Sequence, residues 1–294
     1  MSQQKANLLL VLVTVAWGAS YLFTKTAVQE IAPFTLIAYR FLLAFAITAI
    51  VFWKQIRRPS KQTIIASAIQ GFLMAVVCIL FAYALVVTDA SVAAFLLATT
   101  VIMVPLFMVI WTRKLPTKQV VLGGAITLSG LALFSLDGTF VVSAGMIICL
   151  ITAALYAVHI IANNHFTQQH DSLQLGVYQL FFVGLFSFIG ALFVEPIRLP
   201  ETAQGWGAVV MLAIVCSAFA IIVQSIAQQH TNAVSTGFIF ALEPIFAAIF
   251  AYVFLHERLS TQEWMGAAFI FMGVLAANYV PVKSRKAVPI SSEL

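Results

Sequence analysis

The stretch "IFALEPIFAAIF", residues 239–250, sets an acid beside a proline inside an otherwise apolar run. Glu243 supplies a carboxylate that can carry a proton or hold a cation. An acid at the centre of a membrane helix costs about 2.5–3.5 kcal/mol, so it is expected to face the bundle interior. Pro244 lacks a backbone N–H and opens the helical ladder one turn earlier, near Phe240. The freed carbonyl needs a partner, which the glutamate or water could supply. Glu243 therefore has two readings: a coupling site, or a partner for broken backbone.

Arg40 in "IAYRFLL" is the second ion placed deep in an apolar run. Its fork can bind an anionic group such as a substrate carboxylate, or the carbonyl end of a neighbouring helix. Lys25 lies near the end of its run and is expected to snorkel to the interface. Around these ions stands a polar and aromatic set: Trp17, Ser20 and Tyr21, then Tyr83, then Tyr156 and His159, then Gln224 and Gln228. Tyr156 and His159 are three residues apart and share one helix face. Aromatic walls with a few polar groups suit a small-molecule pocket. The same residue types also pack membrane cores and anchor interfaces. An intramembrane histidine is rare and can titrate near neutral pH. Thr99, which aligns with Glu243, and Phe238 complete the expected substrate-binding lining. No catalytic residue, metal or cofactor is expected.

The elements that must carry these residues follow from composition. Of 294 residues, 62% are hydrophobic and only 9% charged, with mean hydropathy +1.04. A soluble domain carries about 25% charged residues, so the chain reads as a multi-pass membrane protein. A crossing helix needs about 20 apolar residues. Ten such spans are expected near 8–28, 34–53, 63–85, 92–111, 119–136, 143–162, 173–194, 205–228, 233–255 and 262–281. Short polar links such as "RRPSK", "TDAS", "RKLPTK", "LDGT", "QQHDS" and "RLPET" separate them. A membrane β-barrel would alternate over segments of about 10 residues, and these runs are apolar all round. The first span is longer than the h-region of a signal peptide, about 7–15 residues. Cys78, Cys149 and Cys216 all fall in spans and read as small buried hydrophobes.

Basic residues orient the chain. With the N-terminus inside, eleven lysines and arginines fall in inner segments and only Arg198 and Arg258 in outer ones. Both termini are thus expected in the cytoplasm, and the net charge of +5 reports topology rather than nucleic-acid binding. Residues 90–117 align without a gap on 234–261, at an offset of 144. "FTLIAYRF" (34–41) resembles "LQLGVYQL" (173–180) at an offset of 139, pairing Trp17 with Tyr156 and Ser20 with His159. Because five is odd, two five-span halves must run in opposite directions. The fold class expected is therefore an all-α integral membrane protein with ten transmembrane helices in two inverted five-helix repeats, residues 1–138 and 139–294. Inverted repeats are a transporter architecture with the site near the midplane.

The segments "AWGASYLFTK" (16–25), "YRFLLA" (39–44), "ALEPIF…FLHERLS" (241–260) and "GAAFIFMGV" (266–274) resemble the drug/metabolite transporter superfamily, in particular its EamA-type members. The resemblance covers nearly the whole chain. It implies a secondary transporter, an exporter of small metabolites such as amino acids, in a cell membrane such as the bacterial inner membrane. Some members work by proton antiport, which makes protons a candidate coupling ion. Small-molecule substrate and lipid are the expected partners, in a monomer or homodimer. The first half departs from the pattern, with Thr99, Thr100 and Arg113 where the second has Glu243, Pro244 and Glu257. No Walker loop, zinc-protease pair of histidines or G-x-S-x-G elbow occurs. An intramembrane enzyme or a passive channel remains the alternative class.

Overall fold

The computed structural model describes residues 1–87, 93, 96–135, 144–255 and 260–278. Every regular element among them is helical. In chain order these are α1 Gln3–Ala27, α2 Pro33–Val51, α3 Trp53–Ile56 and α4 Lys61–Val87. Then come α5 Thr100–Thr112, α6 Lys118–Ser135, α7 Ala144–Gln169 and α8 Ser172–Val194. After these, α9 Ala203–Ala213 continues through a π-helical turn, Ile214–Phe219, into α10 Ala220–Gln228. The last are α11 Ala233–Phe240, α12 Glu243–Leu255 and α13 Thr261–Asn278. Among the described residues, seven helical stretches are long and apolar enough to cross a membrane. Three shorter apolar helices accompany them: Leu96–Thr112, Lys118–Leu133 and Trp264–Asn278. The expected turn at Asp137-Gly138, most of "HERLS" and the basic tail beyond Asn278 lie outside the described residues.

Local chemistry explains where the helices begin. Ser2, Asp171, Thr202 and Asn232 each cap a helix, with a side-chain oxygen accepting a backbone N–H from the first turn. Pro33 starts α2 with a preset φ and no N–H to lose. Two acids act across the chain at the end of the bundle opposite Gln3. Glu195, following α8, accepts the Thr35 N–H of α2 at 2.5 Å. Glu30 accepts the Thr202 hydroxyl, the Thr202 N–H (3.1 Å) and the Glu201 N–H (2.8 Å). The other end is tied by Thr231, whose hydroxyl donates to Asn7 Oδ1 at 2.8 Å.

The core lies between helices rather than on one side of them. α2 packs on α8, α4 on both α7 and α8, α1 on α10 and α12, and α6 on α13. The α6–α13 crossing is the closest. A Cβ on Gly123 would sit 2.7 Å from the Gly273 carbonyl, and one on Gly273 would sit 2.2 Å from Thr127 Oγ1. Small residues there let two backbones touch, the usual route to tight packing where lipid offers no hydrophobic drive. Gly18 does the same for α1 against Phe246 and Ala247 of α12. Gly124 makes only ordinary contact with the Phe238 ring.

Candidate functional site

Three irregularities in helices meet at one place. The first is the break between α11 and α12. Leu242 donates to Ile239 and Ile245 donates to Leu242, both at 3.0 Å and both one residue short of a helical ladder. The break spans Ala241 and Leu242, immediately after Phe240, and Pro244, in the first turn of α12, has no N–H to carry the ladder back across it. The second is at Thr99. Its N–H bonds to the Leu96 carbonyl at 3.2 Å, a three-residue step, and its hydroxyl to the same carbonyl at 2.5 Å. Thr100 donates to Leu97 (2.6 Å) and to Ala153 of α7 (3.2 Å). Thr99 and Thr100 thus interrupt the first half where Glu243 and Pro244 interrupt the second. Hydroxyls competing for helix carbonyls replace the proline. The third irregularity is the π turn before α10.

A cleft lies between the two breaks. Its lining includes Tyr21, Leu97, Thr100, Tyr156, Phe240 and Glu243, with Gly237 and Pro244 beside them. It contains about 270 Å³ of atom-free space, but only about 10 Å³ can hold the centre of a water-sized sphere. That is room for about one water. The Glu243 carboxylate shares this cleft with the Tyr21 hydroxyl. Aromatic rings make the walls. Trp17 meets Phe240 edge-on at 4.9 Å and Tyr156 at 6.2 Å. Phe240, Tyr156 and His159 form a near-parallel stack, with centroids 6.2 and 6.0 Å apart.

Arg40 is buried at this level but does not line the cleft. Its Nε donates to Ser217 Oγ at 2.5 Å and its Nη2 to the Cys216 carbonyl at 3.0 Å. Trp17 Nε1 donates to the same carbonyl at 3.1 Å. Both donors therefore serve the π turn. A widened turn presents its carbonyl sideways, and nothing in a stretch of apolar residues announces it beforehand.

The remaining expected residues divide. Tyr21, Tyr156 and Glu243 line the cleft, Trp17 backs its wall, and Thr99 sits beside the lining Thr100. His159 is fully buried behind Tyr156 and takes a hydrogen bond from the Gln179 amide at 3.0 Å. Gln224 donates to Gln228 at 3.0 Å, and Gln228 accepts a further bond from Asn163. Tyr83 packs edge-on to Phe34, away from the cleft. Ser20 is half-buried and outside the lining. Phe238 borders a separate cavity of about 420 Å³, with Gln3, Pro105, Lys114, Thr117 and Asn278. Phe240, Leu97 and Thr100 were not anticipated. The first precedes Pro244 by four residues, and Thr100 aligns with Pro244, so both were within reach of the repeat. Among the described residues, no three His, Cys, Asp or Glu side chains gather as a metal site.

Comparison with known proteins assigns this architecture. The profile of the EamA-like transporter family matches residues 4–136 and again 143–279. An uncharacterized transporter from Archaeoglobus fulgidus is 29% identical over 284 residues, spanning 92% of this chain and 96% of the relative. An uncharacterized transporter from Bacillus subtilis is 24% identical, spanning 94% of this chain and 93% of the relative. A solved crystal structure shares the fold with a TM-score of 0.77 at 19% identity, over 94% of this chain and 97% of that one. With both of its stretches matched and its helices apolar enough to cross a bilayer, this chain is a multi-pass membrane protein of the EamA-like transporter family.

Proposed function

We propose that the protein is a proton-coupled secondary exporter of small metabolites, amino acids or related compounds, that alternates access between two inverted five-helix halves. The halves are residues 1–138 and 139–294, with ten spans in all and both termini on the cytoplasmic side of a cell membrane such as the bacterial inner membrane. The reading excludes chemistry on the solute. The observation that carries it is the narrow cleft between two broken helices. One wall, Tyr21, Leu97 and Thr100, comes from the first half; the other, Tyr156, Phe240 and Glu243, comes from the second. Room for one water suits an occluded step of alternating access and not an open pore.

Packing supports the inverted halves. α1 lies on the last part of the eighth span as α4 lies on α7. α1 meets α12 as α7 meets α5. α6 with α13 and α2 with α8 pair each element with its own counterpart. Two successive matches of one family profile fit the same division. The placement of Gln3, Thr117, Asn232 and Asn278 around one cavity supports an even number of crossings between Gln3 and Asn278.

Glu243 is the coupling group in this reading. Its carboxylate shares the cleft with the Tyr21 hydroxyl, so it stands where solute and water would alternate. Purified protein in liposomes tests the proposal. Amino-acid accumulation should follow an imposed pH gradient and collapse when the gradient is discharged. Conversion of solute in detergent, or flux that ignores the gradient and never saturates, would favour an enzyme or a channel.

A further inference from the structure

Three buried polar side chains on the packed helices α4, α7 and α8 have hydrogen-bonding capacity that the fold does not use. Gln70 of α4 is fully buried, and neither its amide nitrogen nor its oxygen has a partner. His159 Nδ1 and Gln179 Oε1 are likewise buried and unpartnered. With the Gln179 amide in this orientation, its N–H donates to His159 Nε2, which leaves the ring proton on Nδ1. Flipping the amide exchanges the roles but not the count: one donor and one acceptor stay unspent.

Gln70 and Gln179 lie at one depth. Ser67 of α4 donates to the Leu175 carbonyl of α8 at 3.3 Å, and a Cβ on Gly71 would strike Phe182. α4 and α8 therefore run parallel, and Gln70, just before Gly71, falls level with Gln179. Gln179 reaches His159 across to α7, and α4 packs on both α7 and α8. The set carries no formal ion. Arg40 is engaged by Ser217 and Cys216, and Glu243 lies in the cleft with Tyr21. Tyr156 separates this place from the cleft, with its ring between those of Phe240 and His159.

We propose that Gln70, His159 and Gln179 form an uncharged polar subsite that receives the carboxamide-like edge of a neutral solute. A buried amide with both atoms unspent costs the fold stability. It matches, side by side, one acceptor and one donor on a ligand, and a group lacking either would leave it unsatisfied. Rotation of Tyr156 would join the subsite to the cleft, so that an apolar solute body rests on Trp17, Tyr156 and Phe240. The inference rests on the reading of that cleft as the solute site.

Three probes of one shape test it on the purified full chain: phenylacetamide, phenylacetate and 2-phenylethylamine, titrated against the melting temperature. The amide should bind at least about tenfold tighter than either ion, the equivalent of about 1.4 kcal/mol. Gln70→Met should lose most of that preference while the melting temperature without ligand holds or rises, because an apolar chain of similar length replaces an unpartnered amide. Gln70→Glu should move the preference from the amide to the amine. Equal binding of the three probes, a lower melting temperature in Gln70→Met, or an unchanged probe order in Gln70→Glu would overturn the subsite. Failure of gradient-driven transport with the amide preference intact would instead count against the transport reading alone.

Discussion

Arg40 Nη2 lies 3.0 Å from the Cys216 carbonyl, an oxygen that Trp17 also holds at 3.1 Å. One intramembrane cation thus stabilises a π turn. Removing Arg40 strips Ser217 and Cys216 of their strongest donor, whereas removing the Trp17 N–H leaves the carbonyl with one donor still in place. Arg40→Met should lower folded yield and melting temperature, by an amount equivalent to roughly 2 kcal/mol or more, given that hydrogen bonds to charged groups are worth about 1.5–3 kcal/mol each. Trp17→Phe should cost about 1 kcal/mol. Thermal unfolding in detergent checks both. An Arg40→Met protein that melts like wild type but no longer binds solute would move Arg40 into the binding site.

Glu243→Gln keeps the size of the side chain and a polar end but cannot ionise. Accumulation driven by a pH gradient should be lost, while solute exchange across liposomes without a gradient should persist. Folded yield should stay near wild type. Full gradient-driven accumulation by the mutant would remove Glu243 from coupling and return it to a role beside the Pro244 break.

Pro244→Ala restores an N–H where the ladder is open. The two helices α11 and α12 can then join, and the gain in backbone bonding should raise the melting temperature. If the break is the moving element, turnover should fall severalfold at unchanged solute affinity. Transport kinetics beside a melting curve report both, and faster turnover would show the break to be passive.

Glu30 titrates at the end of the bundle assigned to the outside. Hydrogen bonds from the Thr202 side chain, then from the Thr202 and Glu201 backbone, hold its carboxyl below the usual range. A value lowered by folding contributes stability that is present above the unfolded carboxyl value, about 4.3. That contribution is lost as pH falls through the folded value. The melting temperature of wild type should therefore drop on the acid side more than that of Glu30→Gln. Because the group is exposed, the difference should be small and confined to acid pH. Parallel curves for the two proteins would dismiss this contact as a pH-dependent tie.

A single cysteine at Ser260 should react with a membrane-impermeant reagent from outside, and one at Thr117 should not. Both positions are exposed, so access depends on side alone. Equal labelling from outside would refute the inverted arrangement.

The class of this protein was legible in its composition, because 9% charge cannot cover a water-soluble surface. Glu243, Pro244 and Arg40 were legible for the same reason: an ion or a helix breaker in hydrocarbon is too costly to be incidental. The break after Phe240 followed from the covalent fact that proline has no N–H. What only the tertiary structure decided was which residue faces which. Helices apolar on every side carry no stripe that orients them, so Tyr83 and Ser20 read as lining equally with Tyr21 and Tyr156. Packing on Phe34 took Tyr83 away from the cleft. The partner of Arg40 is a carbonyl turned sideways by a π turn, a feature of backbone geometry with no residue of its own to mark it. The matching break at Thr99 depends on hydroxyls choosing the carbonyls of their own helix, which threonine does in some contexts and not in others. Gln70 stands inside α4 with nothing in the sequence to set it apart, and only the packed fold shows its amide buried without a partner.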